Sequence, residues 1–426
     1  MENKETYQYE IVEKLSFKRY GGTEDELKAA HIILEEIEKA GGKGEIMNFE
    51  IPAYDCSVCK AKVVAPFEKE LEVVPYGCSG QFPEGGVDLK VAYIEASGDD
   101  YFRGHEDLTG TCVFLHTLDY DMYKQLLARH AAAFVAISGK WYGTDETEDL
   151  VPRMLREKML HMGQIPGFVV RAKDALEVVS KEAETIHLEL RQENRTATSR
   201  DVLAVIEGTE NKNESIVITG HYDSVLVGTG SWDNATGAAM LCYLYNYFVK
   251  NPPKRTLRFV WCGSEEQGLY GSINYIKQHK DIIPEIQFCF NFDMNGTIFG
   301  PNICFITGDQ DLKTYYEQIM KEYGYTSNII MTVHSSDSAP FATFGIPALG
   351  MGRGNRGAFE IHTRHDLMPT LSAKEMHKNG EFAQFVINRV ANSVKLPVER
   401  KLPEDMKKKV DAYFWLDKLP DYKLFD

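Results

Sequence analysis

Residues 216–261 read IVITGHYDSVLVGTGSWDNATGAAMLCYLYNYFVKNPPKRTLRFVW. The β-branched run at 216–219 stops at Gly220 and predicts a short buried strand. After a turn rich in glycine and serine, the apolar run at 234–249 has the length of a helix and ends before Pro252-Pro253. A second strand is predicted over 257–261. Strand, long helical crossover and strand in succession make a parallel pair, since a hairpin would need only a tight turn.

Working outward, the same alternation continues. Strands are predicted over 286–293, 303–307 and 348–351, and helices over 269–279, 312–323 and 373–391. The last helix opens on Ser372-Ala373-Lys374-Glu375, a capping box. An α/β fold follows, with a mostly parallel mixed sheet covered by helices. Upstream, a second capping box at Thr23-Glu24-Asp25-Glu26 leads into a helix through Ala29, Ile32, Ile33 and Ile37 that ends at Gly41-Gly42. Between residues 63 and 190 the texture changes to short β-rich runs, such as 87–94 and 111–115, and predicts an inserted β-rich domain. Residues 1–62 and 191–396 then form one domain, and 397–426 a charged terminal segment.

A length of 426 residues also favours two domains over one core. The apolar share of 43% and charged share of 26% are those of an ordinary globular chain. With 47 basic and 63 acidic residues the net charge is −16, the wrong sign for neutralising phosphates, so nucleic acid is not an expected partner. Neither is a membrane, because no stretch approaches the roughly 18 apolar residues of a span. The polar start at 1–13 lacks a secretory pattern, which makes the cytoplasm the expected location. The eight cysteines are scattered and are expected to be thiols, Cys56 and Cys59 included.

Sites in open α/β sheets form beyond the carboxyl ends of the strands. There the sequence places Gly220-His221-Tyr222-Asp223, Ser264-Glu265-Glu266 and Asp293, with Trp232-Asp233-Asn234 at a helix start and Ile361-His362-Thr363 in a later loop. Taken singly, Asp233 could be a helix cap, Glu265-Glu266 a solvated face and His221 a hydrogen-bonded strand end. Together, His221, Asp233, Glu266, Asp293 and His362 make a nitrogen and oxygen ligand set for two divalent metal ions, with zinc expected and cobalt or manganese as substitutes. One bridging carboxylate would leave each metal two private ligands. Asp223, two residues beyond His221, can accept the other ring N–H of that ligand. Glu265 and Glu266 are neighbours that cannot share one role, so Glu266 is assigned to a metal and Glu265 to a metal-activated water as general base.

The motifs His221-Tyr222-Asp223, Gly230-Ser231-Trp232-Asp233-Asn234-Ala235-Thr236-Gly237, Ser264-Glu265-Glu266-Gln267-Gly268, Asn291-Phe292-Asp293-Met294 and His362-Thr363-Arg364-His365-Asp366 occur in this order. In them the chain resembles the co-catalytic two-zinc aminopeptidase family, which includes aminopeptidase Y and the glutamate carboxypeptidase II-like metallopeptidases. The resemblance implies a zinc exopeptidase fold and an aminopeptidase acting on peptides. It also implies one metal on His221, Asp233 and Asp293, a second on Asp233, Glu266 and His362, Glu265 as base, and His365 as a bystander. Thr109-Gly110-Thr111-Cys112-Val113 and Ile165-Pro166-Gly167-Phe168 resemble landmarks of a protease-associated domain. Two positions depart from the family pattern: Ile361 where many members have Tyr, and Ser338 where many have His.

Other functions on this scaffold are a carboxypeptidase or dipeptidase, a glutaminyl cyclase, or an inactive receptor-like binding module. The stretch Gly350 to Gly357 carries Arg353 and Arg356, which could reach a substrate carboxylate.

Overall fold

The computed structural model describes residues 4–143, 150–354, 361–419 and 421–425. Packing divides the chain into two units, Met1–Glu50 with Thr198–Asp426, and Ile51–Ala197. The insertion was expected over 63–190. Two extended strands, Gly44–Ala65 and Thr185–Ile206, run past both ends of that range, and the alternation of buried and exposed residues lapses in each near the point where the chain leaves one unit for the other.

In the first unit the strand order is Asn328–Met331, Asn302–Thr307, Ala348–Arg353, Ile286–Phe292, Asn211–His221 and Arg255–Cys262, followed by residues 202–206, whose strand also pairs with Gly44–Ala65. Asn211–His221 runs parallel to both neighbours. Only Asn302–Thr307 against Ala348–Arg353, and residues 202–206 against Arg255–Cys262, are antiparallel within this group. The register sets His221 beside Cys262 and Thr219 beside Asn291. Three strands therefore end at one edge, and the residues that follow each of them emerge together.

The helix Thr236–Phe248 is buried on every side. That explains its nearly continuous apolar sequence, which an amphipathic surface helix would not show. It lies between the sheet and the helices Tyr7–Leu15, Glu24–Lys39 and Ala373–Ala391. Its Ala238 carbonyl accepts the indole N–H of fully buried Trp261 at 3.0 Å.

Three helices of this unit did not show in the sequence, the four-residue Ala339–Ala342 among them. Tyr7–Leu15 buries Ile11, Val12 and Leu15 but has only nine residues, too few to be stable without tertiary packing. Glu404–Phe414 belongs to the terminal segment and buries Met406, Val410 and Phe414, a four-residue spacing masked by the charges between them. Both capping boxes form only by half. Thr23 Oγ1 accepts the Glu26 N–H at 3.2 Å, but the Glu26 carboxylate turns to the Gly22 N–H at 2.9 Å and to Arg200 at 3.2 Å. Ser372 accepts the Glu375 N–H, while the Glu375 carboxylate pairs with Arg353.

The second unit is not purely β-rich. Val87–Tyr93, Thr111–Leu115, Ala133–Ser138 and Gly167–Arg171 are parallel neighbours in that order, interleaved with helices Tyr120–Ala128, Glu157–Leu160 and Ala172–Ser180. Short strands broken by glycines hid the helical crossovers that such a sheet requires. Its core gathers Phe114, Val135, Phe168 and Leu188. Among the described residues no helix is long and apolar enough to cross a membrane.

Candidate metal centre

His221 is the last residue of its strand, and Asp293 follows the last residue of Ile286–Phe292. Glu265 and Glu266 lie in the turn between Arg255–Cys262 and the helix Tyr270–Gln278. Asp233 sits in an irregular turn, Ser231–Ala235, where it and Asn234 leave helical geometry. It is therefore not the cap of the following helix, whose N-cap is Ala235. Ser264, Met294 and His362 all have φ between 52° and 60°, in the left-handed region. Such backbone is sparsely populated for non-glycine residues, and here it is held at or next to the ligand positions.

The structure brings all five proposed ligands together as two groups that share Asp233: His221, Asp233 and Asp293, and Asp233, Glu266 and His362. His221 Nε2 lies 3.2 Å from Asp233 Oδ1 and 3.6 Å from Asp293 Oδ1. His362 Nε2 lies 3.1 Å from Asp233 Oδ2 and 3.1 Å from Glu266 Oε2. One carboxylate thus turns an oxygen to each group, the disposition of a bridging ligand. His221 is buried, whereas the His362 side chain is 53% exposed, so the site opens on the His362 side.

Asp223 is fully buried, with its Oδ1 3.3 Å from His221 Nδ1. Its carboxylate also accepts the N–H of Glu265 at 3.1 Å and of Glu266 at 3.2 Å. It therefore braces the turn that carries both glutamates, and it faces the imidazole at ion-pair distance without a hydrogen bond to His221 Nδ1. Glu265 Oε2 is 4.0 Å from His221 Nε2.

The electrostatics are those of a site short of positive charge. Burial first, then the charge of Asp233, pushes Glu266 up to about 7. Burial also raises Glu265 far above the carboxylate range, against the pull of His221 and with Asp337, Glu266 and Asp293 adding to it. Burial opposes ionisation of Asp233 too, but hydrogen bonds to His221 and His362 outweigh it and hold this carboxyl below its ordinary value. His362 is raised to about 11 because its bonds to Asp233 and Glu266 overcome burial. Glu266 Oε1 and Asp293 Oδ1 are buried without a hydrogen-bond partner. Buried, unpaired carboxylate oxygens converging with two imidazoles fit divalent cations well.

Two residues of this site escaped the sequence reading. Asp366 accepts the backbone N–H groups of Trp232 at 2.7 Å and Asp233 at 2.9 Å. It closes the motif His362-Thr363-Arg364-His365-Asp366, which gave it no role of its own. Arg19 is fully buried and donates to carbonyls on both sides of the loop between His221 and Asp233. Arg353 is not free for a substrate: it donates to the Thr297 carbonyl at 2.7 Å and Asn302 Oδ1 at 3.0 Å and pairs with Glu375 at 3.2 Å. Arg356 lies outside the described residues. Ile361 is 41% exposed beside His362, and Ser338 is buried and shares a hydrogen bond with Ser336.

Similarity to known proteins points the same way. Residues 201–387, which carry all five grouped residues, match peptidase family M28. Aminopeptidase YwaD of Bacillus subtilis is 23% identical over 418 residues, covering 93% of this chain and 86% of its own. Carboxypeptidase Q of Mus musculus is 24% identical over 379 residues, covering 84% and 79%. A solved structure of a zinc aminopeptidase from Bacillus subtilis superposes with a TM-score of 0.74 at 20% identity, covering 95% of this chain and 99% of that one. The matched segment and the positions of the grouped residues agree: residues 201–387 are similar to peptidase family M28, and the fold is that of the zinc aminopeptidase structure.

Proposed function

We propose that this protein is a dinuclear zinc exopeptidase that removes N-terminal residues from peptides. The observation that carries the reading is the shared Asp233, with one oxygen turned to the His221 group and the other to the His362 group. His221, Asp233 and Asp293 would hold one zinc ion, and Asp233, Glu266 and His362 the other. Zinc bound there would polarise the scissile carbonyl and lower the pKa of the attacking water.

The chain's own residues do the rest. Glu265, beside the ligands but not needed as one, takes the proton of the water as its oxygen bonds to the carbonyl carbon. It passes that proton to the amine nitrogen as the C–N bond breaks. Asp223 keeps His221 and the Glu265 backbone in place, and Asp366 does the same for Asp233.

The choice of the amino end rests on charge. Glu265, Asp223 and Asp366 add negative charge beside the ligands, while Arg19 and Arg353 are already engaged, which favours a substrate ammonium over a substrate carboxylate. The printed activity of the aminopeptidase relative agrees, while that of carboxypeptidase Q keeps cleavage from the carboxyl end as the second reading. Peptides are the proposed partners, and the unit Ile51–Ala197 is proposed as the protease-associated domain. A zinc-supplemented assay on a peptide panel tests the reading. Cleavage should vanish when the N-terminus is acetylated and persist when the C-terminus is amidated; indifference to acetylation would overturn it.

A further inference from the structure

We propose that Arg19 is the positioning residue that sets the spacing between the two ligand-bearing segments around His221 and Asp233, a role that rests on the zinc exopeptidase reading. Arg19 lies between the helices Tyr7–Leu15 and Glu24–Lys39, far from the metal motifs in sequence. Its side chain is nonetheless fully buried.

Nε donates to the Tyr222 carbonyl at 2.6 Å, between the ligand His221 and its brace Asp223. Nη1 donates to the Thr229 carbonyl at 2.5 Å and Nη2 to the Gly230 carbonyl at 3.0 Å, just ahead of Asp233. Nη1 also donates to Phe17 at 2.8 Å and to Leu15, which anchors the guanidinium in its own segment. The backbone repeats the tie, since the Arg19 N–H donates to Ser224 Oγ at 2.9 Å and the Ser224 N–H to the Arg19 carbonyl at 3.3 Å.

The loop between Tyr222 and Gly230 is neither helix nor strand. Nothing in its own backbone repeat fixes the separation of its ends. A planar guanidinium with donors pointing in fixed directions does so, because each buried carbonyl it satisfies can be satisfied in only one place. Lysine offers a single nitrogen and cannot span both ends of the loop. The positive charge has a second use: Asp223, Asp366, Asp233 and Glu266 all lie within its field, so it offsets their mutual repulsion before metal arrives.

The test measures zinc affinity of the full-length protein by competition with a chelator. Arg19→Lys keeps a cation but loses the fork, and should weaken zinc binding about 10- to 100-fold, the range found when groups that orient metal ligands are removed. Lost kcat should return at saturating zinc, with KM little changed. Leu312→Ala, on the buried face of the helix Gln310–Tyr323, serves as the comparator: it should lower Tm without moving zinc affinity. If Arg19→Lys lowers Tm in the same way and leaves zinc affinity unchanged, Arg19 is merely structural and the proposal is overturned. Should that variant fail to fold, Arg19→Gln decides, since its amide keeps a planar donor but cannot reach both ends of the loop; weaker zinc binding supports the proposal and unchanged binding overturns it. A wild-type protein that binds no zinc overturns the exopeptidase reading itself, and this role with it.

Discussion

The Asp366 carboxylate receives the backbone N–H of Asp233 at 2.9 Å while its other oxygen receives that of Trp232 at 2.7 Å. The His362 loop thereby holds the turn that carries the shared carboxylate, across a separation of 133 residues. Thr229 Oγ1 adds a bond to the Asp366 carbonyl at 2.8 Å. The turn bearing Asp233 is thus tied to the chain segment bearing His362 by one aspartate outside the two groups.

Asp366→Ala should leave two buried N–H groups without an acceptor, at about 1–3 kcal/mol each. The expected result is a lower Tm and zinc binding weaker by about 10- to 100-fold, read by calorimetry and by chelator competition. Zinc affinity equal to wild type would show that the turn holds its shape unaided.

Glu265→Gln should separate holding metal from moving a proton. The amide preserves volume, and the five grouped residues are untouched, so close to two zinc ions per chain are expected by elemental analysis. Turnover should fall by about 10²- to 10⁴-fold, as when a positioned general base is removed. Substantial remaining turnover would assign the proton transfer to another group.

Gly237→Ala probes how closely the helix Thr236–Phe248 approaches the strand that delivers Asp293. An added Cβ would stand 2.3 Å from the Phe292 carbonyl and 2.4 Å from both side-chain polar atoms of Asn234. Overpacking of this kind costs about 1–3 kcal/mol, and here it pushes apart the segments bearing Asp233 and Asp293. Loss of both Tm and zinc occupancy is expected, and a normal Tm would mean that the backbones can separate without strain.

Glu26 makes stability depend on pH. Burial lifts it from 4.5 to about 7, although bonds from Ser199 and Gly22 pull the other way. The folded chain then keeps a proton that the unfolded chain has released, so this contribution is complete below the unfolded value and is lost as pH rises through the folded one. Glu26→Gln should flatten the fall of Tm between about pH 5 and about pH 8. An unaltered slope would place the responsible groups elsewhere.

The α/β class was legible because it depends on short-range periodicity: the strand, helix and strand over 216–261 appear in order, and the helix over 373–391 appears with its bounds unchanged. That these residues meet was legible for a similar reason, since parallel strands ending at one edge gather what lies there: His221 ends such a strand, and Glu266 and Asp293 closely follow two others. Tyr7–Leu15 and Glu404–Phe414 went unread because the first is short and the second hides its apolar spacing among charges, and both owe their order to the surfaces they cover. Other features took a folded chain to decide. Which carboxylate is shared depends on where the two oxygens of Asp233 point, and Arg353 was withdrawn from the candidate substrate contacts by Thr297, Asn302 and Glu375. Asp366 and Arg19 work through backbone groups, which every residue carries alike, so no side-chain pattern marks their partners. Residue types and local spacing determined what the site could be made of, and hydrogen bonds between distant segments determined how it is held.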